Sequence, residues 1–153
     1  MFSLIITIIS IALVALLALA TLYYGGSAFS QGSAKAAAST VVSQAQQIAG
    51  ANTLFANDNA GTFSPDVATL QTGNYLSSVP TPPAAAATGS WTIAGAAANN
   101  VTLSLNGSGA QSICTAILKN AGLNTTIASS ATAGRQVDCY GSAAPYSFIF
   151  SSN

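Results

Sequence analysis

The sequence predicts an α+β protein: a long hydrophobic N-terminal α-helix, then a small globular head of antiparallel β-sheet and short helices, with a disulfide near the C-terminus. Three observations carry this expectation. The first 22 of the 153 residues hold no charge. Short helix-like and strand-like runs then alternate between turn signals. Two cysteines, Cys114 and Cys139, stand in the last third of the chain.

The opening run MFSLIITIISIALVALLALATL is interrupted only by Ser3, Thr7, Ser10 and Thr21. As a helix it would be roughly 33 Å long, enough to cross a bilayer core. Ser3, Thr7 and Ser10 recur at i, i+4 and i+7 and share one helical face. Their hydroxyls either bond across to a neighbouring helix or bond back to their own carbonyls. Ala18-Leu19-Ala20 resembles a signal-peptide cleavage site, but no Lys or Arg precedes the apolar run, which speaks against a cleaved signal. A plain transmembrane anchor expects flanking cations, and the first is Lys35. Tyr23 and Tyr24 suit a membrane interface.

Gly25 and Gly26, with Gly32 nearby, predict a break or an extended stretch within residues 25–32, because each glycine costs about 1 kcal/mol relative to Ala inside a helix. Ser33 to Phe55 reads as a second helical stretch, with Ala37, Val41, Ala45, Ile48 and Leu54 near one face. The expected organisation is an N-terminal helix over 1–55, with residues 1–24 its hydrophobic part and a hinge at Gly25 and Gly26, followed by a head over 56–153.

Within the head, Asn57 to Gly61 is a turn cluster. Ser64 is expected to cap a short helix with Pro65 at its first position, running through Val67 and Leu70 to Gly73. Val79-Pro80-Thr81-Pro82-Pro83 reads as an extended connector. Trp91 to Ile93 and Val101 to Leu105 read as strands with Asn99-Asn100 as the turn between them. Gln111 to Asn120 is a helix carrying Cys114 and ending at Gly122. Gln136 to Tyr140 and Tyr146 to Phe150 are the last strands.

Only six residues are charged: Lys35, Lys119, Arg135, Asp58, Asp66 and Asp138. That is 4% of the chain, against about a quarter in ordinary soluble domains. A surface so weakly charged favours association. Three scattered cations cannot form the basic stripe a nucleic-acid site needs. There is no Glu and no His, so hydrolytic triads and paired-carboxylate sites have almost nothing to build from, and no enzyme is expected. The three Asp residues read as turn, cap and surface positions, and Trp91 and Tyr146 as packing. No cofactor or metal is expected, since two cysteines alone cannot complete a zinc shell. The cysteines are either free thiols in a core or a disulfide. The second is favoured for a head beyond a membrane segment, where it would stabilise by about 3 kcal/mol. Asn100, Asn106 and Asn124 each begin an Asn-x-Ser/Thr triplet.

A hydrophobic N-terminal helix, a polar αβ head and a C-terminal cysteine pair together resemble a bacterial type IV pilin, most like the type IVb and thin-pilus subfamily. The resemblance rests on MFSLIITIIS, VVSQAQQIAGANTLF, GTFSPDVATLQTGNYLSSVP and the stretch from SICTAILKNAG to VDCYGSAAPYSFIF. It implies a disulfide between Cys114 and Cys139 bracketing a variable region. It implies Met1 as an N-methylated mature terminus, and a filament core built from Phe2, Leu4, Ile5, Ile8, Ile9, Leu13 and Leu16. It further implies a structural subunit, a major pilin, that polymerises with itself into a helical surface filament for adhesion, motility, DNA uptake or conjugation. The partners implied are the inner membrane before assembly, with the head in the periplasm, the pilus assembly machinery, and host cells or phage. Archaeal pilins also carry low-charge heads, but the paired-cysteine pattern is the bacterial one.

One departure matters. The family usually has Glu at mature position five; here Ile5 and Ile6 stand there, and no carboxylate precedes Asp58. A buried, unpaired ammonium would cost several kcal/mol. The terminus is therefore expected to be neutral, or bonded to backbone carbonyls or to Ser3 and Thr7 hydroxyls. Rival readings are a minor pilin, a type II secretion pseudopilin, and a monomeric membrane-anchored domain that binds a surface ligand.

Overall fold

A computed structural model of the protein describes residues 2–94 and 99–152. The expected architecture is present: a long apolar N-terminal helix, short helices, a four-stranded antiparallel sheet and a Cys114–Cys139 disulfide. The chain divides into two compact units, the first ending at Ser33 and the second beginning at Ala34.

Helix α1 spans Phe2–Asp58 without interruption. The break expected within 25–32 is absent, and Gly25, Gly26 and Gly32 are all helical. The reason is cooperativity. Interrupting the ladder would orphan backbone groups at two new ends and require a second nucleation, worth about 4 kcal/mol, which exceeds the local glycine cost. The expected boundary near residue 55 also moves. Residues from Ala34 belong to the second unit, because the later part of α1 supplies one wall of its core.

That wall is Ala38, Val41, Ala45, Ile48 and Asn52, all fully buried. Their spacing of three and four residues is the helical period. Leu54, expected on this face, is exposed. Six residues after Ile48 the helix has turned about 240°, so Leu54 points away from the core.

The helix closes at Ala60, whose φ is +54°, with the Gly61 N–H donating to the Ala56 carbonyl at 2.7 Å. Helix α2 covers Val67–Thr72. Its cap is Asp66, not Ser64: the Asp66 carboxylate accepts from the Thr69 N–H at 2.6 Å. Ser64 is buried and donates its hydroxyl to the Asp66 carbonyl at 2.8 Å, so it braces the cap residue from one turn outside the helix.

Strands β1 (Thr92–Ile93), β2 (Asn100–Leu105), β3 (Val137–Tyr140) and β4 (Tyr146–Ser151) form one sheet in the order β1-β2-β4-β3, antiparallel throughout. In β2, Val101, Leu103 and Leu105 are buried, as alternation requires; in β4, Tyr146, Phe148 and Phe150 are. Asn99-Asn100 is not the turn expected there. Asn100 is already in β2 opposite Ser151, and the connection from β1 includes residues 95–98, outside the described residues. Trp91 packs edge-to-face on Phe148 at 6.1 Å between ring centroids.

Helix α3 (Ala110–Asn120) carries Ile113, Cys114, Ile117 and Leu118 on its buried face. It ends at Ala121, with Gly122 at φ +70° and the Leu123 N–H on the Leu118 carbonyl at 2.9 Å. Gly122 suits this position because a left-handed residue bears no Cβ penalty only as glycine.

Candidate functional site

The feature with the clearest functional content is the first part of α1. From Phe2 to Leu22 every described residue is exposed. Phe2, Leu4, Ile5, Ile8, Ile9, Leu13 and Leu16 range from 53% to 85% accessible. Ile6, Ile11, Val14 and Leu17 occupy the remaining directions around the axis and are equally exposed. A helix apolar all round is stable only when other apolar matter covers it. Full burial of each such side chain contributes about 1.5–3 kcal/mol, so a few of them equal a domain's whole stability.

Three of the four side-chain hydroxyls in this segment are satisfied locally. The Thr7 hydroxyl donates to the Leu4 carbonyl at 2.8 Å, Ser10 to Ile6 at 2.8 Å and Thr21 to Ala18 at 2.9 Å. For Thr7 and Ser10, of the two expectations, bonding back to the same helix is the one observed. Thr7, Ser10 and Thr21 therefore present no unmet hydrogen-bonding demand to a neighbour. Tyr23 and Tyr24 follow with their rings edge-to-face at 5.7 Å. A Cβ at Gly25, Gly26 or Gly32 would meet nothing within 4 Å, so none of these glycines is required by packing inside the chain. Met1 lies outside the described residues.

The second unit completes its own core. The Cys114–Cys139 disulfide joins α3 to β3, with a Cα separation of 5.6 Å, and both cysteines are fully buried. Between them, residues 121–136 form an irregular segment that returns to β3. Asp138 holds that return. It is buried, not on the surface as expected, and accepts from the Thr132 N–H at 2.7 Å and the Cys139 N–H at 2.9 Å. Arg135 pairs with the same carboxylate at 3.3 Å.

Sequence reasoning missed a buried amide pair. Asn52 on α1 donates to Asn99 at 2.8 Å and accepts the Ser64 N–H at 2.8 Å. Asn99 in turn donates to Thr53 at 3.1 Å and to Ser152. The available sign was a polar residue at the next position of the apolar series Val41, Ala45, Ile48. The remaining carboxylates have structural partners: Asp66 caps α2, and Asp58 accepts the Tyr75 hydroxyl at 2.8 Å.

Fold and site thus define a class: a chain with, among the described residues, one helix long and apolar enough to cross a membrane, continuous with an oxidised α+β domain that has its own core. No protein-family model, curated protein or solved structure matches the chain.

Proposed function

We propose that the protein is the structural subunit of a type IV pilus-like surface filament and has no enzymatic role. The observation that supports this most is the contrast within α1. Its first part is apolar on every side and uncovered, while its later part is consumed by the core of the second unit. Such a segment needs either lipid or copies of itself around it. Before assembly it sits in the inner membrane with the head on the periplasmic side. In the filament, Phe2, Leu4, Ile5, Ile8, Ile9, Leu13 and Leu16 pack against the same segments of other copies. The two environments have similar polarity, so the exchange is driven by helix packing rather than by a change of solvent. Assembly machinery of the pilus type extracts the subunit, and host cells or phage meet the finished surface.

Ile5 in place of the family's Glu removes the partner of a charged N-terminus. A neutral terminus, or one bonded to backbone carbonyls or to the Ser3 and Thr7 hydroxyls, fits this reading. Gly25 and Gly26 make that stretch of helix cheaper to unwind than its neighbours, which suits a hinge used during assembly.

The test is electron cryo-microscopy of material sheared from cells that express the chain. A helical filament with residues 2–22 packed at its centre supports the proposal. A protein that remains monomeric in the membrane fraction, with no filament in the sheared material, overturns it in favour of an anchored surface domain.

A further inference from the structure

We infer that Asn124 is the acceptor of an N-linked glycan, and that the other two Asn-x-Ser/Thr triplets are not. The inference rests on the part of the proposed function that puts the second unit beyond a membrane, but not on polymerisation.

The three triplets differ in structure. Asn100 lies in β2, paired with Ser151, and its side-chain oxygen is buried. Asn106 is exposed, but its side-chain oxygen accepts from both the Thr88 N–H at 2.8 Å and the Thr88 hydroxyl at 3.2 Å. The next residue, Gly107, is clamped on the 85–86 backbone: its N–H donates to the Ala86 carbonyl at 3.0 Å, and a Cβ there would stand 2.4 Å from the Ala85 carbonyl oxygen. Drawing residues 106–108 into a transferase would tear two segments apart.

Residues 124–126 carry no such ties. Asn124, Thr125 and Thr126 are all exposed and lie in the irregular segment between the cysteines. Among the described residues, one hydrogen bond involves Asn124: the Thr126 N–H donates to its side-chain oxygen at 3.1 Å. The amide nitrogen Nδ2 is left to solvent. That geometry suits the chemistry. An amide nitrogen is a poor nucleophile because its lone pair is shared with the carbonyl. Loss of one Nδ2 proton puts negative charge on the side-chain oxygen, where the Thr126 N–H already points. The same triplet supplies the Thr126 hydroxyl that transferases recognise.

The co-reactant is a glycan carried on a lipid phosphate or pyrophosphate, presented by a membrane-bound transferase. Nδ2 bonds to the anomeric carbon, the bond from that carbon to the phosphate oxygen breaks, and the phosphate leaves with the electron pair. The proton from Nδ2 passes to a base of the transferase. A neutral hydrated glycan also fits a chain with only six charged residues, since it supplies hydration that charge does not.

The sequence makes the test direct. Trypsin cuts after Lys119 and Arg135, releasing residues 120–135 with Asn124 as the sole triplet and neither cysteine. The protein is taken from its own cells, and this peptide is fragmented by mass spectrometry. Sugar on Asn124 is expected, with complete loss in Asn124→Gln and Thr126→Val, retention in Thr126→Ser, and no change in Asn106→Gln. Sugar found on Thr125 or Thr126, or on Asn106, overturns the inference. An unmodified peptide from a head that protease reaches in spheroplasts also overturns it, while leaving the membrane reading intact. A head that stays protected from protease in spheroplasts overturns both.

Discussion

The side chains of Asn52 and Asn99, 47 residues apart in sequence, bond to each other at 2.8 Å inside the second unit. Both are buried, and the pair joins α1 to the residue that leads into β2. A buried amide is tolerated only when its hydrogen bonds are made. Here Asn52 also holds the Ser64 N–H, and Asn99 also reaches Thr53 and Ser152. The cluster therefore ties the helix, the approach to α2 and the end of β4 at one point.

Truncation of either residue should be costly and the two costs should not add. Asn52→Ala leaves the Ser64 N–H and the Asn99 oxygen without their partner, a loss of about 2–4 kcal/mol. In the double variant with Asn99→Ala the lost bond is counted once, so the total should fall short of the sum by about 1 kcal/mol or more. Urea unfolding of the four proteins in detergent measures this. Strict additivity would show that the pair is not coupled.

Stability should be flat between two limbs of a pH profile. The Asp66 carboxyl is held below its ordinary 3.8 chiefly by the Thr69 backbone N–H. A lowered folded value means that its contribution is present above 3.8 and is lost as pH falls through the folded value. The Tyr75 hydroxyl is held above its ordinary 10.0 chiefly by its hydrogen bond to Asp58. Its contribution is present below 10.0 and is lost as pH rises through the folded value. Thermal melts across pH should show Asp66→Asn flattening the acid limb and Tyr75→Phe flattening the alkaline one.

Ala60→Gly should stabilise the protein by about 1 kcal/mol. Ala60 stands in the turn two residues beyond α1 at φ +54°, where a Cβ is unfavourable and glycine is at ease. A Cβ is no asset at this exposed turn position. Denaturant midpoints of the two proteins decide the sign. An unchanged midpoint would mean that the extra freedom of glycine in the unfolded chain offsets the relief, and a lower one that it outweighs it.

Removing the disulfide with Cys114→Ala and Cys139→Ala together should cost about 3 kcal/mol, since it closes a loop across a separation of 25 residues. The cost should fall on the unfolding midpoint of the second unit. The helical content of residues 2–33, followed by hydrogen exchange in detergent, should stay the same, because those residues form a separate compact unit.

Local pattern was sufficient for most elements. The apolar first 22 residues announced their helix, the alternation Val101-Thr102-Leu103-Ser104-Leu105 announced β2, and the series Ile113, Cys114, Ile117 announced α3. Caps and turns were less legible. Ser64 and Asp66 are both good capping residues two positions apart, and burial of Ser64 decided between them. Asn99-Asn100 has turn composition, but β2 gains a ladder position by including Asn100 opposite Ser151.

Residue order is enough to mark one segment of this chain as too apolar to stay uncovered and too long to be an ordinary core helix. Composition suffices there, because the cost of wetting an all-apolar helix depends on its side chains and not on where they are placed. It also favoured the oxidised state of Cys114 and Cys139. The tertiary structure alone decided the rest. It carried α1 unbroken through Gly25 and Gly26, began the second unit at Ala34, and buried Asn52, Asn99 and Asp138. Each of these outcomes depends on a partner distant in the chain or on cooperativity along a whole helix. A local reading of side-chain preference contains neither.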